Sequence, residues 1–211
     1  MMSRIGVLGG MFDPIHNGHI EAASYARNCL SLDQIKLIPC SVPNHRAEAS
    51  SAAEHRVAML ELAIRDHKYI EVDQLELCRE GVSYSVETMR ELAENYPDNE
   101  FVFILGLDAF NTLSEWHEWE QLFTLCSFFV LARSGATINS ELAATINLDE
   151  RRVDDPDSLN HEKPGSIYIA EDFNYQLSST EVRSKLAEGS DLSKDLDVRV
   201  YSYINEHNLY H

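Results

Sequence analysis

The stretch Gly9-Gly10-Met11-Phe12-Asp13-Pro14-Ile15-His16-Asn17-Gly18-His19 constrains this chain more than any other. It follows a short apolar run, Ile5-Gly6-Val7-Leu8, and leads into an amphipathic segment from Ile20 to Leu30. That succession predicts strand, glycine-rich turn and helix. In an open α/β sheet the ligand crevice lies where such a strand ends and its helix begins. Gly9 and Gly10 carry no Cβ, so a phosphate can approach the backbone closely. His16 and His19 are three residues apart and share a face once the helix has begun. Gly18 is expected to keep the space between the two imidazoles open. A helix N-terminus adds unpaired N–H groups and a partial positive charge, which suit an anion. The pattern is not the dinucleotide fingerprint G-x-G-x-x-G, and no G-K-S or G-K-T follows to make a P-loop.

Length and composition narrow the class. At 211 residues the chain can form one α/β domain with a full core. The opening Met1-Met2-Ser3-Arg4 is not a signal peptide and no apolar run approaches membrane-spanning length, so a cytoplasmic location is expected. Cys29, Cys40, Cys78 and Cys126 show neither C-x-x-C nor zinc spacing and read as thiols in a reducing compartment. A net charge of −18 argues against nucleic acid polymers and anionic membranes as partners. An anionic ligand would then need local compensation from a few His and Arg and from helix N-termini.

Two His at this spacing are often only surface or capping residues. The full string G-G-x-F-D-P-x-H-x-G-H, however, resembles the H-x-G-H motif of the nucleotidylyltransferase superfamily, and in its longer form that of the bacterial nicotinate mononucleotide adenylyltransferases. The resemblance runs along nearly the whole chain.

After the strand Gln34–Pro39 comes a polar loop with Pro43-Asn44-His45-Arg46. Spacing alone leaves His45 and Arg46 open between a phosphate clamp and a solvated pair. The resemblance favours the clamp, because the family carries P-x-H-[KR] here; Asn44 stands where a second Pro is common. Ser51 to Glu54 fits a capping box before an amphipathic helix whose polar residues, His55 and Arg56 among them, face solvent. Tyr69–Asp73 alternates as a strand, Leu75–Cys78 is expected to continue extended, and Glu80-Gly81 turns. Ser83 and Ser85 are N-cap candidates for a helix from Val86 to Asn95. The family reads S-Y-[TS] there, which puts Ser85 against the nicotinate carboxylate.

Phe101–Leu105 is apolar throughout and predicts a central parallel strand. Gly106-Leu107-Asp108 ends it; Asp108 reads as a helix N-cap, as a ribose ligand by resemblance, or as both. Trp116 and Trp119 are three apart and are expected to share one helical face. Trp119 is expected in the core. The family's Trp-Tyr pair aligns with Trp116 and His117, so Trp116 is expected to stack on the pyridine ring, and His117 departs from the usual Tyr. Another buried strand, 127–133, ends at Arg133, where the family's Arg-Pro-Gly would put Arg133 near the substrate phosphate. Residues 134–166 read as a polar excursion holding one modest helix, 140–146, and no separate domain. Ile167–Ala170 is the last strand. Ser178 to Glu181 fits a capping box, so Leu177-Ser178-Ser179-Thr180-Glu181-Val182-Arg183 opens a helix that can hold an anion. It resembles the family's I-S-x-T-x-[IV]-R element. An amphipathic helix, 198–207, and Leu209-Tyr210 close the chain.

The fold expected is a single α/β domain over 1–211, Rossmann-like, with a mainly parallel twisted sheet and helices on both faces. The resemblance implies transfer of the adenylyl group of ATP to nicotinate mononucleotide, giving deamido-NAD and pyrophosphate, with Mg²⁺ carried by ATP and no metal held by the protein alone. It implies that His16, His19 and Arg183 are catalytic. ATP would meet Gly9, Gly10, Phe12, Gly18, Gly106, Asp108, Ser178, Ser179 and Thr180 as well as those three. The mononucleotide would meet Asp13, His45, Arg46, Ser85, Trp116 and His117. Two alternatives stay open. One is a sister enzyme acting on pantetheine phosphate, on a CTP-dependent acceptor or on the amide mononucleotide. The other is a nucleotide sensor with a dead site. Oligomeric state, monomer or homo-oligomer, is not legible.

Overall fold

Strands buried on both faces need helices on both faces, and this chain supplies both. The computed structural model describes residues 3–43, 49–132, 135–159, 163–175 and 177–210. Seven strands form one sheet, all pairs parallel. They are β1 (Arg4–Gly10), β2 (Gln34–Pro39), β4 (Ile70–Val72), β6 (Glu100–Gly106), β7 (Ser127–Leu131), β8 (Arg152–Val153) and β9 (Ile167–Ala170), in spatial order β4-β2-β1-β6-β7-β9-β8. A separate two-stranded parallel ribbon pairs β3 (Val42–Pro43) with β5 (Val82–Ser83).

The strand pleat divides the core in two. On one face Leu8, Val102, Ile104, Phe129 and Leu131 pack against α1 (Asn17–Leu30), α2 (Ala53–Ala63), α9 (Ser179–Ala187) and α10 (Val198–Glu206). On the other, Ile5, Val7, Phe101, Phe103, Leu105, Phe128 and Val130 pack against α4 (Ser85–Asn95), α5 (Leu107–Phe110), α6 (Trp119–Leu125), α7 (Ser140–Thr145) and α8 (Leu148–Arg151). The expected Rossmann-like sheet, with helices on both faces, is therefore observed. The chain runs outward from β1 through β2 to β4, then returns to place β6 on the other side of β1. That reversal opens a crevice at the C-terminal ends of β1 and β6, the place where open α/β sheets bind ligands.

Several local expectations give way to longer-range contacts. Leu75–Cys78 is a short helix, α3, instead of extended chain. Asp73 Oδ1 accepts the Leu75 N–H at 3.1 Å and turns the backbone. Ala52, not Ser51, is the N-cap of α2, because the Ser51 hydroxyl is bonded elsewhere. Arg56 does not face solvent; it is 2% exposed. Tyr84 is the N-cap of α4, so Ser85 is its first residue. Gly106 caps α5, which puts Asp108 one position inside it. Trp116 and Trp119 do not share a helix: a 3₁₀ turn, Leu113–Glu115, ends at Trp116, and Glu118 at φ 48° separates it from α6. The 134–166 excursion carries more structure than one helix. Leu142, Ile146 and Leu148 join the core, and β8 adds a parallel edge strand beside β9.

Candidate active site

Two glycines end β1 and one ends β6, so the crevice floor is low. A Cβ at Gly9 or Gly106 would meet nothing within 4 Å. The turn that follows β1 is clamped by three side chains from two helices, α2 and α9. Arg56 Nη1 donates to the Met11 carbonyl at 2.8 Å, Arg183 Nη1 to the Asp13 carbonyl at 2.6 Å, and Ser179 Oγ to the Pro14 carbonyl at 3.0 Å. Three carbonyl dipoles are thus engaged at a place expected to receive an anion. Phe12, with φ 49° and 1% exposure, packs its ring beneath Gly10 and edge-on to His19 at 5.0 Å between centroids. Its side chain therefore supports the turn from below.

His16 is the N-cap of α1 and His19 its third residue. Their rings stack, 3.7 Å between centroids at 29°. Gly18 does not separate them, contrary to expectation. It separates His16 from Tyr175: a Cβ there would lie 3.0 Å from His16 Nδ1 and 3.0 Å from Tyr175 Cδ1. The His16 backbone N–H donates to His19 Nδ1 at 3.3 Å, which fixes the neutral His19 tautomer with its proton on Nε2. His16 Nδ1 is buried and has no hydrogen-bond partner among the described residues. A buried, unpaired nitrogen of this kind calls for an explanation, and a ligand group is one.

Burial holds the His16 imidazole down at about 4, against the opposing pull of Asp195 and Glu181. His16 is neutral at physiological pH. With a folded value near 4 and an unfolded value near 6.5, the unfolded chain takes up the proton first as pH falls. The stability carried by neutral His16 is complete above about pH 6.5 and is lost on acidification towards pH 4. The expected result is a Tm that falls through this window, and falls less steeply in His16→Gln. An NMR titration of His16 is expected to give a midpoint near 4 that moves upward when inorganic triphosphate is added. A free-protein midpoint near 6.5 would overturn this.

Asp13 is 3% exposed. Its carboxylate accepts from the Ser50 N–H at 2.6 Å, from Ser51 Oγ at 2.8 Å and N–H at 3.2 Å, and from Tyr210 Oη at 2.7 Å. Arg183 Nη1 stands 3.8 Å away. Burial pushes this carboxyl up, but the Tyr210, Ser50 and Ser51 hydrogen bonds and the Arg183 charge outweigh it and hold it below its ordinary range. Asp13 thus binds the chain to itself.

Helix α9 begins on this turn. Ser178 and Glu181 form the expected capping box, with Glu181 N–H to Ser178 Oγ at 3.2 Å and Ser178 N–H to Glu181 Oε2 at 2.8 Å. Arg183 Nη2 reaches Thr180 Oγ1 at 3.2 Å. His16, His19, Ser178, Ser179, Thr180 and Arg183 are therefore brought together around one turn.

The second half of the crevice lies beside β6. Tyr84, immediately before Ser85, packs its ring on His117, 4.3 Å between centroids. Trp116 stands edge-to-face on Phe103 at 6.2 Å and donates its indole N–H to Thr112 Oγ1 at 3.2 Å. Ser85, Trp116 and His117 thus gather on one side, with Gly106 and the exposed Asp108 at the end of β6. His45, Arg46 and Arg133 lie outside the described residues. Sequence reasoning missed Ser51, Arg56, Tyr175 and Tyr210. Their roles depend on contacts between distant parts of the chain, and no local spacing signals them.

This geometry has relatives. The cytidylyltransferase-like family matches residues 7–185. A "Probable nicotinate-nucleotide adenylyltransferase" from Shewanella frigidimarina (strain NCIMB 400) is 38% identical over 209 residues, covering 98% of this chain and 99% of its own. One of the same description from Pseudoalteromonas atlantica (strain T6c / ATCC BAA-1087) is 34% identical over 208 residues, covering 98% and 94%. Among solved structures, the Plasmodium falciparum nicotinic acid mononucleotide adenylyltransferase complexed with NaAD superposes with a TM-score of 0.76 at 21% identity, covering 99% of this chain and 97% of its own. At that identity the likeness shows the shared fold.

Proposed function

The chain belongs to the cytidylyltransferase-like family and, within it, to the nicotinate-nucleotide adenylyltransferases, and from that membership we propose how its site works. The enzyme transfers the adenylyl group of ATP to nicotinate mononucleotide in NAD biosynthesis. The 5′-phosphate of the mononucleotide attacks the α-phosphorus, pyrophosphate leaves and deamido-NAD forms. The observation that carries this reading is the stacked His16–His19 pair at the N-terminus of α1, set where the strand order reverses.

The nucleophile is a phosphate already ionised at neutral pH, so no strong base is needed. Positioning and charge stabilisation then supply the catalysis. His19 presents Nε2–H and stabilises charge growing on the α-phosphate. His16 is neutral in the free enzyme and meets the triphosphate through its buried nitrogen. The start of α9, with Ser178, Ser179, Thr180 and Arg183, receives the β- and γ-phosphates. Phe12, Gly9, Gly10 and Gly18 serve ATP through backbone and space, because the Phe12 ring is buried. Asp108 accepts from the ribose beside Gly106. Ser85, Trp116 and His117 receive the pyridine ring and its carboxylate, while His45 and Arg46 bridge phosphates. Asp13 acts on the mononucleotide side indirectly, by fixing Ser50 and Ser51, which follow His45 and Arg46 closely in the sequence.

ATP arrives as its Mg²⁺ complex. The donor set supports this: the phosphate end offers imidazole, hydroxyl and guanidinium groups, and the Asp13 carboxylate is engaged by the chain. Among the described residues, the single cluster of three potential ligands is Glu87, His117 and Glu118, on the pyridine side. No helix among the described residues is long and apolar enough to cross a membrane.

Pyrophosphate release from Mg-ATP tests the reading, with nicotinate mononucleotide run beside the amide mononucleotide. Strong preference for the acid is the expected result. Comparable rates would overturn acid selectivity and make His117→Tyr the first replacement. Silence with both, while ATP still binds, would overturn the enzyme.

A further inference from the structure

Glu76 is a buried carboxylate that the mechanism above does not use. It lies on α3, 8% exposed, beneath the pyridine side of the crevice. Its Oε1 accepts from Thr88 Oγ1 at 2.7 Å. The same hydroxyl lies 3.3 Å from the Tyr84 carbonyl and accepts from Arg79 Nη2 at 3.1 Å. The side chains of Ser83 and Cys40 lie close enough to Glu76 to pull its carboxyl down. Ser83 Oγ in turn accepts the Ser41 N–H at 3.1 Å, next to the β3–β5 pairing of Val42 with Val82 and Pro43 with Ser83.

Glu76 therefore meets α4 through Thr88, whose hydroxyl also lies against the Tyr84 carbonyl, and Ser83 joins that segment to Ser41. Cys40 and Ser41 lead through β3 towards His45 and Arg46. Ser83 and Tyr84 lead to Ser85, and Tyr84 also carries the ring packed on His117. Thr88 fixes the first turn of α4 from inside. We propose that Glu76 is a positioning residue for the mononucleotide, holding the Ser83–Ser85 segment and the Cys40–Pro43 segment in mutual register; this rests on the substrate reading above. Glu76 touches no substrate. A carboxylate suits the task because it is a strong acceptor for the Thr88 hydroxyl. Burial pushes the Glu76 carboxyl up, against the pull of Thr88, Ser83, Arg79 and Cys40. A buried acid is a group the fold keeps at a cost, since burying charge is unfavourable.

The triphosphate end, built from α1 and α9, meets this segment at one backbone bond, from the Cys40 N–H to the Gly10 carbonyl at 2.9 Å, and shares no side chain with Glu76 or Thr88, so the effect is expected on the mononucleotide. Steady-state kinetics of the full chain test it, with both substrates varied. Glu76→Ala is expected to raise the KM for nicotinate mononucleotide at least tenfold and to change the KM for ATP less than twofold. Glu76→Gln keeps an acceptor for Thr88 and is expected to recover the mononucleotide KM to within about threefold of the unaltered protein. Thr88→Val removes the central hydroxyl at nearly constant shape and is expected to give the same one-sided rise; it serves if Glu76→Ala does not fold. Equal rises in both KM values would overturn the proposal as mere loss of structure, and so would unchanged kinetics in Glu76→Ala or, failing that variant, in Thr88→Val. An unaltered protein inactive with nicotinate mononucleotide would instead overturn the substrate reading, which keeps the two failures apart.

Discussion

Replacing His19 by Ala is expected to lower kcat by about 10²–10³-fold while moving the KM for ATP by less than about threefold. The asymmetry follows from how the ring is held. Its Nδ1 is committed to the His16 backbone N–H, its face to the His16 ring and its edge to Phe12. The imidazole is thus oriented before substrate arrives, with Nε2–H as a preorganised donor. A donor oriented towards developing charge contributes more to the transition state than to ground-state binding. Its loss should therefore appear in kcat, and in kcat/KM to the same degree. An Ala variant with unchanged kcat, or one whose whole deficit lies in the KM for ATP, would show that His19 only binds.

Arg183→Lys is expected to cost about 10²-fold in kcat/KM for ATP and to lower Tm, although charge is retained. Arg183 uses its fork. One nitrogen holds the Asp13 carbonyl and stands near the Asp13 carboxylate, and the other reaches the Thr180 hydroxyl one turn back along α9. An ammonium is a single point and cannot span both while also meeting phosphate oxygens. The replacement leaves a carbonyl of the catalytic turn unclamped. Kinetics and thermal unfolding of the same sample read the two effects separately. A Lys variant with unaltered kcat/KM would make Arg183 a generic cation.

What sequence reasoning could see depended on whether the signal was local. The β6 and β7 strands are apolar at nearly every position, and only a strand covered on both faces accounts for that. The Ser178–Glu181 capping box was legible for the same reason, because its partners are three residues apart. Ser51 and Glu54 offer a similar pattern and mislead. The Ser51 hydroxyl meets Asp13 and Tyr210, and tertiary contact overrides the local rule. Trp116 and Trp119 mislead in another way, because the spacing argument presumes a helix that the left-handed Glu118 interrupts. Of the site, the motif residues were legible and their supports were not. Arg56, Tyr175 and Glu76 show their purpose only once distant segments meet.

The bond between Asp13 and Tyr210 spans 197 positions. Ribosomes deliver residue 13 early and residue 210 long after the last strand has emerged. A nascent chain can pair all its strands and still lack the last partner of Asp13. The catalytic turn is finished only when helix α10 has docked and brought Tyr210 home, so the appearance of activity during synthesis should lag behind the appearance of the sheet.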